Sequence, residues 1–315
     1  MTARPGAAGV IAAVAGLGTL VVLPLLTTDR SILTWILLVL LYTALAESWN
    51  LLSGFGGQVN LGHAAFFGLG AVITRTLWLT GTAFLPALAA GIAAAALAGV
   101  IVGAPTLRLY GPYFAIGTLA VAEILRITTS NLLPEVSTLP AGQLATYALA
   151  PRYYLALGVA TLTVATAWLT TRSRYGYGLA AVREDEVVAE ASGVRTFRHK
   201  LAAFVLSSAL AGATGAVFGY YHVSFYPQFA FSPLWTFDAL LITFLGGVGT
   251  VAGPIAGAAV FLLLRETLAL KLVELHLLIF GVLFLVIVLA FPGGFVEAWR
   301  AVREGGVWRR SASRA

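Results

Sequence analysis

Long apolar runs set the fold class of this chain. A hydrocarbon core about 30 Å thick is crossed by about 20 helical residues, and inside it every backbone polar group must be bonded within the protein. Alternating strands of about ten residues are absent from the sequence. We therefore predict an all-α integral membrane protein with about ten transmembrane helices. The runs fall at residues 8–26, 32–49, 63–80, 84–103, 113–130, 153–171, 200–221, 234–246, 254–270 and 275–291.

The composition agrees with this prediction and excludes other classes. Apolar residues make up 59% of the chain and charged residues 10%, whereas soluble proteins carry about 25% charged residues. A mean hydropathy of +0.92 leaves too little charged surface to cover the apolar bulk. A soluble enzyme, a disordered protein and a nucleic-acid binder are thereby excluded. With no cysteine and four scattered histidines, we expect neither a metal site nor catalytic residues.

The distribution of basic residues predicts the orientation. Ten crossings place both termini on one side, and loops rich in Lys and Arg stay in the cytoplasm. If that side is cytoplasmic, it holds 13 of the 19 basic residues, against Arg30, Arg152 and Lys271 outside. We predict cytoplasmic termini, a permease domain at 1–299 and a basic tail at 300–315. The 13 are Arg4, Arg108, six from Arg172 to Lys200, and Arg300, Arg303, Arg309, Arg310 and Arg314.

Two pairs of charged residues stand out within or near the predicted spans. Glu123 and Arg126 are three residues apart and can pair on one helix face. Arg265 and Glu266 are neighbours that point in different directions, so they need not pair with each other. A charge at mid-membrane is costly. Either a position near the outer interface, with the charged ends reaching water, or a role in transport would account for them.

Two Gly-rich segments interrupt the apolar pattern. From Asn50 to His63, five polar side chains and four glycines separate two runs, and from Gly246 to Pro254 the sequence reads GGVGTVAGP. Irregular backbone at membrane depth survives only where it is buried in protein or lines a wet cavity. Such segments therefore point to a transport path, although a plain cytoplasmic turn accounts equally well for the first.

An offset of 190 residues aligns the two Gly-rich segments. It pairs Gly56–Gly57 with Gly246–Gly247, and Arg75 with Arg265. Both segments would then share one orientation, which suggests a parallel internal repeat. The alternative is a chance similarity of two glycines and one arginine.

A long polar loop occupies residues 172–200. Leu179 to Ser192 has no Pro or Gly and is rich in Ala, Glu and Val, so we predict a short helix there, ended by Gly193. Four acidic residues argue against adhesion to an anionic membrane surface. Docking into a groove of a soluble partner is therefore favoured over resting on lipid headgroups. The predicted apolar stripe of this helix consists of Ala180, Val187, Ala191 and Val194.

Motifs that convert energy are absent from the sequence. There is no GxxxxGK[ST], and neither Lys200 nor Lys271 follows a glycine, so the chain lacks a phosphate cradle. Nor is there a chain of Asp, Glu and His at mid-membrane of the kind that proton-coupled transporters use. Carboxylates such as Glu47 and Asp238 are placed near helix ends. ATP hydrolysis would therefore reside in another polypeptide.

A family resemblance is carried by four segments: ESWNLLSGFGGQVNLGHAAFFGLGA, LRLYGPYFAIGTLAVAEILRI, YGYGLAAVREDEVVAEASGV and LGGVGTVAGPIAGA. In order and spacing they resemble the permease family of branched-chain amino-acid ABC importers, and within it the M-type membrane subunit. The match covers residues 46–294. The closing FGVLFLVIVLAFPGG is similar to the family's last helix.

The resemblance implies an assembly in the bacterial inner membrane. The chain would pair with a second, H-type permease, rest on two cytoplasmic ATPase subunits and receive substrate from a periplasmic binding protein. ATP and Mg²⁺ would be bound by the ATPases, and this chain would need no cofactor. The implied ATPase-coupling residues are Arg183, Glu184, Asp185, Glu186, Ala189 and Gly193. The implied translocation pathway lies near Asn50, Gln58, Asn60, His63, Gly246 and Gly247.

One segment departs from the family pattern. After the EILR element, family members often carry a Gly-rich outer segment with a Thr-Gly-Gly core, whereas residues 128–147 read TTSNLLPEVSTLPAGQLATY. This loop would face the binding protein, so the substrate stays open among branched-chain and related hydrophobic amino acids, other amino acids, urea and amides. An ion-coupled secondary transporter and an intramembrane enzyme or scaffold are the alternatives that need no ATPase.

Overall fold

The computed structural model describes residues 7–27, 29–133, 135–271 and 281–282. This part of the chain is mostly helical, as predicted. Its helices are α1 (Ala7–Leu26), α2 (Arg30–Gly56), α3 (His63–Leu79), α4 (Phe84–Thr106), α5 (Pro112–Leu132), α6 (Ala141–Ala145), α7 (Leu149–Arg172), α8 (Arg174–Glu184), α9 (Glu186–Ala191), α10 (Thr196–Tyr221), α11 (Pro227–Ala230), α12 (Leu234–Gly246) and α13 (Ala252–Lys271). Two short strands are β1 (Ser137–Thr138) and β2 (Ser224–Phe225).

Several of these helices are long and apolar enough to cross a membrane. Within the described residues there are five such segments, namely α2, α4, α7, α10 and the continuous stretch Pro227–Gly246. The protein is therefore a multi-pass membrane protein. The number of ten crossings stays a prediction, because the tenth run, 275–291, lies outside the described residues apart from 281–282. The basic tail at 300–315 also lies outside them.

The helix bundle has two distinct ends. The loop end carries residues 172–200 and the ends of α2 and α12. The ribbon end carries β1 and β2, which pair antiparallel with Ser137 opposite Phe225 and Thr138 opposite Ser224. Helix α10, with 26 residues, runs from the loop end to the ribbon end and is about 39 Å long at 1.5 Å per residue.

Helices α2 and α10 form the centre of the bundle. Helix α2 packs against α7, α10, α12 and α13, while α10 packs against α3 and α4. Residues 40–54 of α2 are buried on every side, as expected of a helix that is surrounded by protein. Where α3 crosses α10, a Cβ on Gly70 would overlap the carbonyl of Gly212, so small residues permit this close approach.

Helix α2 extends further than the sequence pattern indicates. The predicted break begins at Asn50, but α2 remains helical to Gly56 and ends where Gly57 has a φ of 71°. The irregular segment therefore contains only residues 57–62. The placement of Glu47 near a helix end was wrong, since this residue is fully buried more than two turns before the end of α2.

The second Gly-rich segment has a similar position. Helix α12 ends at Gly246, Gly247 has a φ of 125° and α13 begins at Ala252. These bounds lie close to those of α2 and α3 after the offset of 190 residues. The internal repeat itself stays a prediction.

Arg75 of α3 ties the ribbon to the helices. Its side chain is 2% exposed. Nη1 donates to the carbonyls of Gly219 at 2.9 Å and His222 at 2.6 Å, and Nη2 donates to those of Ser137 at 2.7 Å and Val223 at 3.0 Å. The last carbonyls of α10 have no partner within the helix, so this guanidinium supplies their donors.

A second buried arginine corrects a sequence prediction. Arg152, predicted to lie in an outer loop, is part of the first turns of α7 and is 3% exposed. Its guanidinium carbon lies 3.8 Å from the ring centre of Tyr147 and 4.2 Å from that of Tyr220. Its Nε donates to the Tyr220 carbonyl at 3.0 Å. The two aromatic rings stabilise the buried positive charge of Arg152. The pattern of apolar residues in the sequence gives no sign of this contact.

Candidate translocation and coupling sites

The turn between α2 and α3 is held by side chains that point into the bundle. Trp49 Nε1 donates to the Asn60 carbonyl at 2.8 Å, and the Ser48 hydroxyl lies 2.8 Å from His63 Nε2. The Asn60 backbone N–H donates to Ser53 Oγ at 3.3 Å. Four predicted pathway residues lie in this segment. Three are buried and the last is half-buried: Asn50, Asn60, His63 and Gln58.

Buried polar atoms near this turn lack a partner. Among the described residues, Glu47 Oε1, Asn60 Nδ2 and His63 Nδ1 make no hydrogen bond. Such an atom costs about 1–3 kcal/mol when it is left unpaired. Hydrogen-bonding capacity is therefore available to a polar molecule along the last turns of α2, the turn and the first turn of α3.

Asn50 joins the two Gly-rich segments. Its Oδ1 accepts from the Gly249 backbone N–H at 2.9 Å, and its Nδ2 donates to the Thr250 carbonyl at 3.0 Å. Gly249 has a φ of 74°, a conformation that glycine adopts without strain. The other predicted pathway residues, Gly246 and Gly247, are buried at the end of α12. The segments that the sequence marks 190 residues apart thus meet at the loop end.

Arg183 of α8 reaches the same place. Its Nη1 donates to the Gly54 carbonyl at 2.5 Å. The stem of the side chain lies so close to Gly57 that a Cβ there would be 3.0 Å from Arg183 Cγ, and the guanidinium lies beside Gly249. One side chain of the predicted coupling motif therefore contacts both Gly-rich segments.

The predicted coupling helix consists of two helices that meet at Asp185. This residue is extended, with φ −158° and ψ 114°, and its carboxylate accepts from the backbone N–H groups of Val187 at 2.9 Å and Val188 at 3.0 Å. An aspartate that caps a helix start in this way favours a new N-terminus over a continuous helix. Gly193, with a φ of 86°, follows α9, which confirms the predicted stop.

The predicted apolar stripe does not lie on one helix, and it does not face the bundle. Three of its members are exposed and the fourth is half-buried: Ala180, Val187, Ala191 and Val194. The residues that face the bundle are Leu179, Val182 and Ala189. The extended Asp185 changes the phase between α8 and α9, so one helical period does not describe both.

The predicted coupling residues divide into two groups. Ala189 is buried and Glu186 is half-buried, while Arg183 is exposed but bonds through its guanidinium to the Gly54 carbonyl. Glu184, Asp185 and Gly193 are also exposed, and Asp185 caps α9. The first three residues attach the loop to the bundle, and the other three lie on its outer surface.

Two contacts that the sequence analysis missed attach the loop to the bundle. Lys200, 3% exposed, donates to Glu186 Oε1 at 2.5 Å. Tyr175 stacks on His199 with ring centres 5.2 Å apart, and its hydroxyl donates to the His199 carbonyl at 2.8 Å. Burial raises the pKa of Tyr175, so the hydroxyl stays a donor. These partners are 14 and 24 residues apart, and no short motif marks them.

The loop also presents an exposed surface. Val187 is 77% exposed and Val188 is 60% exposed. Nearby, a groove of about 540 Å³ is lined by Arg174, Arg195 and Arg198, among other residues. The exposed surface of the loop therefore combines an apolar pair, exposed acidic residues on the same segment and a groove lined by arginines. Such a mixed surface suits a protein partner.

Glu123 pairs with Arg126 as predicted, and Arg265 has a partner that the sequence did not indicate. Arg126 Nε donates to Glu123 Oε2 at 2.9 Å on α5. Arg265 pairs with Asp238 of α12 at 3.3 Å and not with its neighbour Glu266. Both predictions about these residues are confirmed.

Comparison with known families assigns most of the chain. Residues 31–288 match the family described as the permease component of branched-chain amino acid transport systems. The chain belongs to this permease family. The matched range includes both Gly-rich segments and the loop, and it confirms the family resemblance of the sequence. The permease is thus a membrane transport subunit and not an enzyme.

Curated relatives of this permease carry related names. It is 28% identical, over 84% of its own length and 69% of the relative's, to the high-affinity branched-chain amino acid transport system permease protein LivM of Escherichia coli. It is 24% identical, over 81% of its length and 90% of the relative's, to the probable branched-chain amino acid transport permease protein LivM of Methanocaldococcus jannaschii. No solved structure matches the chain significantly.

Proposed function

We propose that this permease is a membrane subunit of an ATP-driven importer for branched-chain or related hydrophobic amino acids. The family match supports the transport role and the substrate class. One geometric observation carries the ATP-driven mechanism, namely the contact of Arg183 with both Gly-rich segments. A loop that is braced against the transport helices by one side chain can pass on a push from outside the membrane.

The proposed orientation places the loop end in the cytoplasm of a bacterial inner membrane. Thirteen of the 19 basic residues then lie on the cytoplasmic side, in agreement with the positive-inside rule. The ribbon end would face the periplasm, where β1, β2 and α11 would lie near the substrate-binding protein.

The proposed partners supply what the chain lacks. Two ATPase subunits would bind ATP and Mg²⁺ and dock on α8 and α9, so the permease itself would need no cofactor. A second permease would complete the pore, and a periplasmic binding protein would deliver the substrate. The ATPase contact would be formed by exposed residues at the loop end, namely Glu184, Asp185, Val187 and Val188.

The proposed mechanism is alternating access. Shifting a two-state pore from about 1:99 to 99:1 requires about 5.5 kcal/mol of differential stabilisation, and a flexible connection cannot transmit it. The salt bridge of Lys200, the stacking of Tyr175 and the Arg183 contact seat the two loop helices rigidly. Movement of these helices would therefore shift the ends of α2 and α12 together.

Uptake into vesicles tests the proposal. The permease is reconstituted with its companion permease, ATPases and binding protein, and uptake of labelled leucine is measured with and without ATP. We expect saturable uptake that requires both ATP and the binding protein. A companion set with labelled urea and acetamide identifies a different substrate class. Uptake that survives ATP depletion but falls when the ion gradient collapses would show an ion-coupled transporter instead.

The role of Arg183 in coupling gives a separate prediction. Arg183→Met removes the donor to the Gly54 carbonyl, while the exposed side chains of α9 remain in place. We expect the ATPases to co-purify normally and leucine uptake to fall about tenfold. A loss of about 1.4 kcal/mol in the free energy that ATPase movement delivers to the pore changes the equilibrium between its two states tenfold. Arg183→Lys, which keeps a donor, should retain more uptake. Full uptake by Arg183→Met would remove this residue from the mechanism.

A further inference from the structure

A cavity of about 760 Å³ opens at the ribbon end between α2, α12 and α13. Small-molecule sites have volumes of about 300–1,000 Å³. The lining residues of α2 run from Arg30 to Tyr42, a depth of about 18 Å along the helix. None of the predicted pathway residues lines this cavity, although His63 lies one helical turn from Phe67, whose ring packs beneath the cavity.

The cavity lining includes the charged side chains of Arg30, Arg265 and Glu266 and the Tyr42 ring. Asp238 adjoins this lining, because it bonds to both Arg265 and Tyr42. Arg265 Nη1 lies 3.3 Å from Asp238 Oδ2, and the Tyr42 hydroxyl accepts from Arg265 and donates to Asp238 Oδ2 at 3.4 Å. The Arg265 side chain is 45% exposed and that of Asp238 is 21% exposed. Both keep hydrogen-bonding capacity that the protein does not use. The guanidinium of Arg265 thus faces the cavity, and the partly exposed carboxylate of Asp238 lies next to it.

Aromatic rings close the floor of the cavity. Trp235 stacks on Tyr42 with ring centres 5.7 Å apart, and it lies 4.7 Å from the rings of both Phe67 and Phe218. Beneath these rings is a void of about 10 Å³, which holds no more than about one water. A molecule that enters from the ribbon end therefore stops at an apolar surface.

We propose that this cavity binds an amino-acid zwitterion with an apolar side chain. Arg265 would bind the carboxylate, Asp238 the ammonium group, and the rings of Tyr42 and Trp235 the side chain. The inference rests on the proposed function and deepens it, because it names the place where substrate waits before the pore opens to the other side.

The paired charges favour a zwitterion over a ligand with one charge. A lone anion would be attracted by Arg265 but repelled by Asp238. A lone cation would be attracted by Asp238 but repelled by Arg265, so each would bind more weakly than a zwitterion that satisfies both charges. A phospholipid headgroup also carries both charges, but the packed rings at the floor would stop its acyl chains from extending further into the bundle. A bound phospholipid is therefore the competing occupant, and the amount of co-purified phospholipid distinguishes it from an amino acid.

A second ion pair at the ribbon end provides a matched control. Glu123 and Arg126 line a smaller cavity of about 400 Å³. Both lie on α5 and bond twice to each other, at 2.9 and 2.5 Å. Their charges are largely used within the pair, so neutralising them should leave substrate binding unchanged.

The experiment measures uptake of labelled leucine by the complete reconstituted transporter as its concentration rises. Arg265→Gln should lower the uptake rate at least tenfold, while Arg126→Gln should stay near the unmodified protein. Co-purified ATPase and the elution volume in detergent show whether each variant is assembled. A second variant, Leu38→Phe, fills the apolar side of the cavity. It should lower uptake of leucine relative to alanine about fivefold, a change of selectivity that loss of stability does not produce.

The outcomes separate this inference from the proposed function. If the unmodified transporter takes up no leucine, the proposed function fails. If it takes up leucine, and Arg265→Gln and Leu38→Phe transport like the unmodified protein, the cavity site is wrong. A change in co-purified phospholipid with unchanged uptake would assign the cavity to lipid. If Arg265→Gln does not assemble, the ratio of leucine uptake to alanine uptake by Leu38→Phe is the deciding measurement: an unchanged ratio overturns the cavity site.

Discussion

Replacing Arg75 with methionine is expected to lower the melting temperature of the purified permease by about 10 °C. The side chain donates to four carbonyls at the ribbon end. Methionine keeps much of the volume but removes these four hydrogen bonds, although the Val223 carbonyl keeps a further donor, the Leu139 N–H. The loss should cost about 4 kcal/mol. A loss of 1 kcal/mol lowers the melting temperature of a domain of this size by about 2–4 °C. The measurement is thermal unfolding in detergent, followed by the fluorescence of the tryptophans.

Arg126→Met is the control for this prediction. It is the same substitution at the same end of the bundle, but the Arg126 side chain is 39% exposed and pairs only locally on α5. Exposed pairs contribute about 0–1 kcal/mol, so a shift of less than about 3 °C is expected. Equal shifts for the two variants would show that Arg75 does not hold the ribbon in place.

Replacing Val187 and Val188 together with aspartate is expected to abolish both ATPase binding and uptake. Both side chains are exposed and make no contact on which the fold depends, so the variant should reach the membrane in normal amounts. Burying a carboxylate in place of a valine at an interface loses apolar contact and adds a desolvation cost. An association at least 100-fold weaker corresponds to a loss of about 2.8 kcal/mol.

The matched control is the double replacement of the same two residues with threonine. Threonine has nearly the shape of valine and no charge, so most of the docking should persist. The measurement is the amount of ATPase that co-purifies with tagged permease, together with leucine uptake by the assembled transporter. Normal co-purification of the aspartate variant would show that α9 is not the ATPase contact.

These two predictions concern opposite ends of the helix bundle. The loop end carries the exposed pair on α9 and the inward contact of Arg183. The ribbon end carries the Arg75 network and the cavity on Arg265 and Asp238. Helices α2 and α12 connect the two ends, and both finish in a glycine segment that contacts the loop. Packed helices that both ends share therefore connect the loop with the cavity region.

The apolar runs were sufficient to predict the fold class and most helix positions. Their length and period depend on the chain alone, because a bilayer admits few structures. The i, i+3 pair of Glu123 and Arg126 and the stop at Gly193 are also local in sequence. Local rules of helix geometry and glycine conformation were enough to place them.

Contacts between distant residues required the folded protein. Asn50 meets Gly249 across 199 positions, and Arg265 meets Asp238 across 27. The sequence shows each polar group but not its partner, since a partner is chosen by the packing of helices that many arrangements of the same runs would allow. The burial of Glu47 and Arg75 was missed for this reason, and so was the division of the coupling segment at Asp185, where a side-chain cap outweighs helix propensity.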